Sequence, residues 1–539
     1  MALYLGLDSS TQSLSAVVLD ITGDRRRMVH AESFQFDAVL PQYGTRHGVL
    51  PSPDPRVAQS SPLMWAEALD MMLARLARDI DVRQITAVCG SAQQHGSVYL
   101  NRQATEAIGA LDASRPLVDQ LHGIFTRSES PIWMDSSTSE ECAEIAAAVG
   151  GDTELARRTG SRAFERFTGP QIRRFFKRSP HAYEATDRIH LVSSYLASLL
   201  AGRHASIDTG DGSGMNLMDL AAGEWWGEAV AATAPALSSK LPPVSVSWTL
   251  VGALAPYWQH RYGYPPARVI VWSGDNPCSL IGTGLVREGV IAVSMGTSDT
   301  VFGLMNEPRV HESGIGHVSG SPTGAFMGLT VFQNGSLARE RVRESLGMSW
   351  ADFSRALDET VPTSGGILLP WFEPEITPRV SAPEVRRFFA SDDRRTTARA
   401  LIESQQMAMC LHSSWMGVQV HTIHATGGAS ANREILQIMA DVFGANVYQL
   451  EVTNSAALGA ALRAAHADAS ADAHPVSWPD VVRGFVEPVA SSLITPDAGR
   501  HALYDKWKAV YAACEAHALD GGAEPELALE RFRRELSER

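Results

Sequence analysis

Cysteine is scarce in this chain. There are five in 539 residues, Cys89, Cys142, Cys278, Cys410 and Cys514, with no CxxC and no disulfide-like spacing. An odd, scattered count suits reduced thiols rather than a disulfide framework, and a cytoplasmic setting is expected. Long apolar runs are missing too, so no membrane span is expected. The opening Met1-Ala-Leu-Tyr-Leu-Gly-Leu meets Asp8 without a basic leader, which is unlike a signal peptide. Positive charge is in deficit, 46 Lys and Arg against 60 Asp and Glu, for a net charge of −14. The basic clusters Arg25–Arg27 and Arg533–Arg534 are too small to reverse that field, which argues against a nucleic-acid surface. Neither a GxGxxG fingerprint nor a GxxxxGK[ST] loop occurs, so a nucleotide would need another scaffold.

What is present is α/β patterning on a chain 45% hydrophobic and long enough for two domains. Tyr4–Leu7 and Leu14–Leu19 read as strands around the polar turn Asp8–Ser13. Val290–Ser294 and Thr300–Leu304 repeat the plan around Met295-Gly-Thr-Ser-Asp299. Two copies of one device predict duplicated domains, 1–283 and 284–539. Between them, helical spacing over Trp65–Arg78 alternates with strands at Ile85–Cys89 and Val269–Trp272. Later come a helix near Leu401–Met416, a strand His421–Thr426 and a helix Asn432–Asp441. Pro41–Pro62 reads as a long surface loop, another loop surrounds Pro370–Pro383, and the Ala- and Asp-rich stretch 467–473 is expected to be poorly ordered.

Several motifs carry chemistry. In Asp8-Ser-Ser-Thr11-Gln-Ser13 a carboxylate ends a strand and is followed by hydroxyls and backbone N–H groups. Such a turn can hold phosphate oxygens while Asp8 holds Mg²⁺, although a polar Asx turn has the same look. Gly296, Thr297 and Ser298 offer a second set of donors. The two turns together could hold one nucleotide's phosphates. Gly427-Gly428-Ala429-Ser-Ala-Asn432 would let an adenine lie against bare backbone, or is simply a tight strand-to-helix turn. Asp275 in Trp272-Ser-Gly-Asp-Asn-Pro277 could take the proton of an attacking hydroxyl, or cap a helix. His95 in the loop after Ile85–Gly90, and Arg166 beside Phe167, could hydrogen-bond sugar hydroxyls; Trp133-Met134-Asp135 is equally ambiguous.

In order, the phrases GLDSSTQS, GSAQQHGS, WMDSST, SRAFERFTGPQI, IDTGDGSGMNL, GDNPCSL, AVSMGTSDT, NGSLARE and ATGGASANREILQIMADVF resemble the FGGY family of carbohydrate kinases, from Gly6 to Phe443. The resemblance implies two duplicated actin-like, ribonuclease-H-like α/β domains around a central cleft. It also implies ATP-dependent, Mg²⁺-assisted phosphorylation of a ketose, D-xylulose foremost, as in the family's animal branch that acts on xylulose. By the same match Asp275 is the catalytic base and Asp8 the magnesium-organising carboxylate. His95, Arg166, Asp275 and Asn276 would hold the sugar. Thr11, Gly296, Thr297, Ser298, Trp350, Gly428, Ala429 and Asn432 would hold ATP. Gln94, Phe164 and Cys278 depart from the common bacterial branch, which has Met, Tyr and Ala there. D-Ribulose, L-xylulose or glycerol as acceptor stay open, as does an actin- or Hsp70-like ATPase without a sugar. The oligomeric state, monomer or homodimer, is open as well.

Overall fold

The computed structural model describes residues 2–23, 25–391, 393–451, 453–471 and 476–537. The chain divides into two compact units. The first comprises Met1–Val286, Asn306–Met327 and Val452–Val486; the second comprises Arg287–Met305, Gly328–Glu451 and Glu487–Arg539. Segments 306–327 and 452–486, which a single boundary near 283 assigns to the C-terminal half, therefore lie in the first unit.

In the first unit the strand Leu3–Ser9 pairs antiparallel with Ser13–Asp20, which pairs with Arg27–Gln35. Its other edge pairs parallel with Ile85–Ala92, and Arg268–Ile270 and Leu250–Ala253 lie beyond. Leu3–Ser9 and Ser13–Asp20 are buried along nearly their whole length, as expected of strands covered on both faces. One face packs against the helices Pro62–Asp79 and Val192–Ala201, with Trp65, Trp258 and Trp272 in the core. The opposite face packs against the alanine-rich helix Ser455–Ser470. Its small side chains allow close approach: a Cβ on Gly6 would sit 2.1 Å from the Ala457 carbonyl oxygen. Ala467–Ser470 completes this helix, so the expected disorder does not hold there; residues 472 and 473 lie outside the described ones. The strand expected at Val269–Trp272 is split into Arg268–Ile270 and Ser273–Gly274, both parallel to Ile85–Ala92. Between the two pieces, the Trp272 ring occupies the space that a side chain on Gly90 would need.

The second unit repeats the plan. Val290–Met295 pairs antiparallel with Asp299–Met305 and parallel with Thr422–Thr426, which pairs parallel with Asn446–Gln449. The helix Arg394–Ser413 starts earlier than its apolar spacing suggested, because Asp393 caps it by accepting from the Arg395 N–H. Among the described residues no helix is long and apolar enough to cross a membrane.

The deepest polar feature of the first unit is Arg463, from the middle of Ser455–Ser470. Its guanidinium, 1% exposed, donates to the carbonyls of Gly90 (3.3 Å), Val271 (2.9 Å) and Ser247 (3.0 Å) and lies 3.6 Å from the buried Asp208 carboxylate. Asp208 also accepts from Ser247 and Ser273 hydroxyls and from the Asp211 N–H. The arrangement joins the ends of two strands to the turn at 208–213. Removing one partner of such a buried set leaves uncompensated charge and orphaned carbonyls. Arg463→Leu should therefore lose about 3–5 kcal/mol of stability in urea unfolding. A loss under about 1 kcal/mol would show that this guanidinium is not structural.

Candidate active site

Parallel pairing sets Asp8 beside Ser91, and Ser91 beside Ser273, at the carboxyl ends of their strands. Open α/β sheets bind ligands at that edge. The Ser91 hydroxyl donates to Asp8 Oδ1 at 2.7 Å. Asp275 opens the helix Asp275–Gly282 at the next strand end, where its carboxylate accepts from the Asn276 N–H at 2.8 Å. It thus starts a helix, yet the cap position itself belongs to Gly274. Asn276 Nδ2 donates to Gln94 Oε1 at 2.7 Å, so the departure at Gln94 fixes a neighbour of Asp275. Burial raises Asp8 to about 6, partly offset by the Ser91 bond. Burial, and then the negative charge of Asp8, raise Asp275 to about 7.

A second group of side chains surrounds His95 in the same unit. His95 holds a left-handed backbone conformation, φ 69°, and its Nδ1 faces the Gly214 carbonyl at 2.8 Å. Only a bare glycine fits there, since a Cβ on Gly214 would lie 2.9 Å from the imidazole. The carbonyl fixes the proton on Nδ1, so Nε2 carries the lone pair, and burial holds the ring neutral with a pKa of about 3. The His95 ring packs 4.7 Å from Phe167. Arg166 lies over Phe164 and Phe167 at 5.1 and 5.7 Å and, among the described residues, has no carboxylate within ion-pair distance. At Thr11 the hydroxyl accepts from Trp133 Nε1 at 2.8 Å and approaches Gln93 Oε1. The loop 41–62, to which no role was given, packs on this turn: a Cβ on Gly48 would lie 1.8 Å from the Thr11 carbonyl oxygen.

In the second unit Ser294 is in register with Thr426, which brings the turn at Gly296 beside Gly427. The Ser336 N–H donates to the Gly296 carbonyl at 2.9 Å, anchoring that turn to the start of the helix Ser336–Ser345. Beneath it, Arg339 grips Asp299 with bonds of 2.7 and 2.9 Å, both side chains buried. Asn432 caps Arg433–Phe443 and donates from Nδ2 to Ser354 at 2.7 Å, which draws in the helix Trp350–Glu359. Trp350, 46% exposed, opens that helix, and a Cβ on Gly428 would meet nothing within 4 Å. The glycine that the turn itself requires is Gly427, with φ 83° and the Met295 carbonyl oxygen 2.5 Å from where a Cβ would stand.

Asp135 has a structural place. It is 2% exposed and accepts from the Ala58 and Ser137 N–H groups, the Ser137 hydroxyl and Gln171 Nε2. Asp211, within the phrase IDTGDGSGMNL, received no role from sequence reasoning. It is 1% exposed, and burial and the negative charges of Asp208 and Asp275 push its pKa well above the carboxylate range. Ser193 donates to its Oδ2 while Oδ1 has no hydrogen-bond partner among the described residues. Arg463 and His317 were missed as well, because their partners are distant in sequence.

The patterns of the FGGY family of carbohydrate kinases match residues 129–282 (N-terminal domain) and 291–468 (C-terminal domain). The xylulose kinase of Mus musculus is 41% identical over 537 residues, covering 97% of this chain and 95% of that one. Xylulose kinase 2 of Arabidopsis thaliana is 42% identical over 494 residues, covering 86% and 87%. The crystal structure of xylulose kinase from Rhodospirillum rubrum superposes with a TM-score of 0.78 at 21% identity, covering 95% and 98%, which shows a shared fold. The chain belongs to the FGGY family of carbohydrate kinases and has that family's two-domain α/β fold.

The carboxyl pair has a consequence for stability. Raised pKa values mean that the folded protein binds more protons than the unfolded chain between about pH 4 and 7, so stability falls as pH rises through that window. Asp275→Asn removes the more strongly shifted of the two carboxyls. Without nucleotide or metal, the variant should melt above wild type at pH 8, and the difference should vanish toward pH 4. A variant that melts below wild type at pH 8 would show that the ionised Asp275 carboxyl does not cost the fold stability.

Proposed function

We propose that the chain transfers the terminal phosphoryl group of ATP to O5 of D-xylulose, giving D-xylulose 5-phosphate. The identity to xylulose kinases across nearly the whole chain carries the choice of substrate. In this reading Asp275 accepts the proton of the acceptor hydroxyl. A carboxyl poised near 7 is matched to that task at neutral pH. His95 Nε2, a lone-pair acceptor, receives a bond from one sugar hydroxyl, and Arg166 and Asn276 donate to others. Thr11 and the turn Gly296, Thr297 and Ser298 are assigned to phosphate oxygens through hydroxyl and backbone donors. Trp350, Gly428, Ala429 and Asn432 are assigned to the adenosine.

Asp8 suits a magnesium ion. Among the described residues no cationic side chain pairs with its carboxyl, which burial holds above its ordinary pKa and whose Oδ1 accepts from Ser91, and no second donor reaches it. When bound, Mg²⁺ would supply charge neutralisation to the phosphates. The first unit would accordingly hold the sugar and the second the nucleotide. A cytoplasmic setting is supported by five free thiols, four of them buried.

Coupled measurement of ADP release against D-xylulose, D-ribulose, L-xylulose, D-fructose and glycerol tests the reading. D-Xylulose should give the highest kcat/KM, and release without sugar should be at least about a hundredfold slower, as expected where phosphoryl transfer depends on a positioned acceptor. Equal release with no sugar would point to a plain ATPase; a higher kcat/KM for another acceptor would reassign the substrate.

A further inference from the structure

The segment 306–327 leaves the second half of the sequence and places His317 within the cluster around Arg166. Val318 N–H donates to the Gly160 carbonyl at 2.8 Å, and Gly320 N–H donates to Ser213 Oγ at 3.0 Å, so the strand His317–Gly320 is anchored on both sides of the cluster. The His317 ring lies 4.9 Å from Phe164 and 5.9 Å from Phe167, edge-on to both. Arg166 Nη2 donates to His317 Nε2 at 3.2 Å, and His317 Nδ1 is 3.0 Å from Ser161 Oγ. A guanidinium can only donate, so Nε2 is the lone-pair nitrogen and the proton sits on Nδ1, directed to Ser161.

An imidazole is an unusual partner for a largely buried guanidinium. A carboxylate would bind it bidentately, neutralise it and occupy two N–H groups. One imidazole nitrogen occupies a single N–H and leaves the charge intact. Arg166 is thereby oriented and kept as a donor to a neutral polyhydroxyl ligand, which offers acceptor oxygens and no charge. The departure at Phe164 belongs to the same device, since its ring carries both His317 and Arg166.

We propose that His317 is a positioning residue for the ketose, holding Arg166 through a neutral imidazole nitrogen so that its remaining N–H groups serve the sugar. This rests on the assignment of Arg166 to the sugar in the proposed function. Burial and the adjacent Arg166 charge keep His317 neutral across the physiological range, consistent with a lone pair that is always available.

The test is a variant series assayed for KM toward D-xylulose, KM toward ATP, kcat and melting temperature. His317→Phe keeps the aromatic packing and removes the acceptor. His317→Gln can return an oxygen near the Nε2 position. His317→Phe should raise KM for D-xylulose about tenfold, the effect of losing one hydrogen bond to a charged group. Its kcat and KM for ATP should stay within about twofold, and His317→Gln should recover KM to within about threefold of wild type. The proposal is overturned if His317→Phe keeps the wild-type KM, if both KM values rise together, or if Gln is no better than Phe. Should circular dichroism show the Phe variant unfolded, His317→Asn replaces it, because its shorter amide falls short of Arg166. Arg166→Ala separates the two levels of argument. If it raises KM for D-xylulose while His317→Phe does not, only the role of His317 fails; if it leaves that KM unchanged, the assignment of Arg166 to the sugar fails.

Discussion

The first unit depends on one buried cation. Arg463 binds three main-chain carbonyls and faces Asp208, and these groups lie next to the strand ends that bear Ser91 and Asp275. Buried ion pairs often add little net stability compared with apolar packing, yet they can fix geometry because the buried charge is compensated only with its partners in place. Here they hold a strand end, the 208–213 turn and the split strand in register. Cys278, one of the departures from the bacterial pattern, lies 3.3 Å from the same guanidinium. The close crossing of Asp275–Gly282 with Ser455–Ser470 needs glycine on both sides, since a Cβ on Gly282 or Gly459 would lie 1.9 and 1.8 Å from backbone oxygens.

Above that frame the electrostatics divide. Asp8 and Asp275 are both held above the ordinary carboxylate range by burial, with the charge of Asp8 adding to the shift of Asp275, an arrangement that costs stability at neutral pH and that a cation and an acceptor hydroxyl would relieve. Around His95, His317 and Arg166 the two imidazoles are neutral and one guanidinium is left to donate. In the proposed reading, Asp275 as base together with uncharged acceptors and a cationic donor would suit a polyhydroxyl substrate of which a single hydroxyl is deprotonated.

Much of this was legible in the sequence wherever the signal was local. The two hairpins read from strand–turn–strand patterning are present within one or two residues of their expected limits, as is the helix that Asn432 caps. The residues assigned to the sugar by resemblance, His95, Arg166, Asp275 and Asn276, all fall in the first unit, and most of those assigned to ATP fall in the second. The excursions 306–327 and 452–486 were not legible, because helical or strand periodicity says nothing about which sheet an element joins. Arg463 reads as one charge on an alanine-rich helix until its partners, from Gly90 to Val271, are seen. Asp135 reads as a free carboxylate near the sugar residues, whereas four donors converge on it. Gly427 and Gly428 are indistinguishable in sequence; only the proximity of the Met295 carbonyl shows which one is sterically required.

Asp275 as the proton acceptor is tested most directly by kcat of Asp275→Asn with saturating ATP and D-xylulose. Asparagine keeps the size and can still accept the Asn276 N–H bond, but it cannot take a proton. A base of this kind contributes on the order of 10² to 10⁴ in rate, so kcat should fall at least about a hundredfold while the circular dichroism spectrum and the KM for ATP stay near wild type. A folded variant that phosphorylates D-xylulose within a few-fold of the wild-type rate would contradict the account.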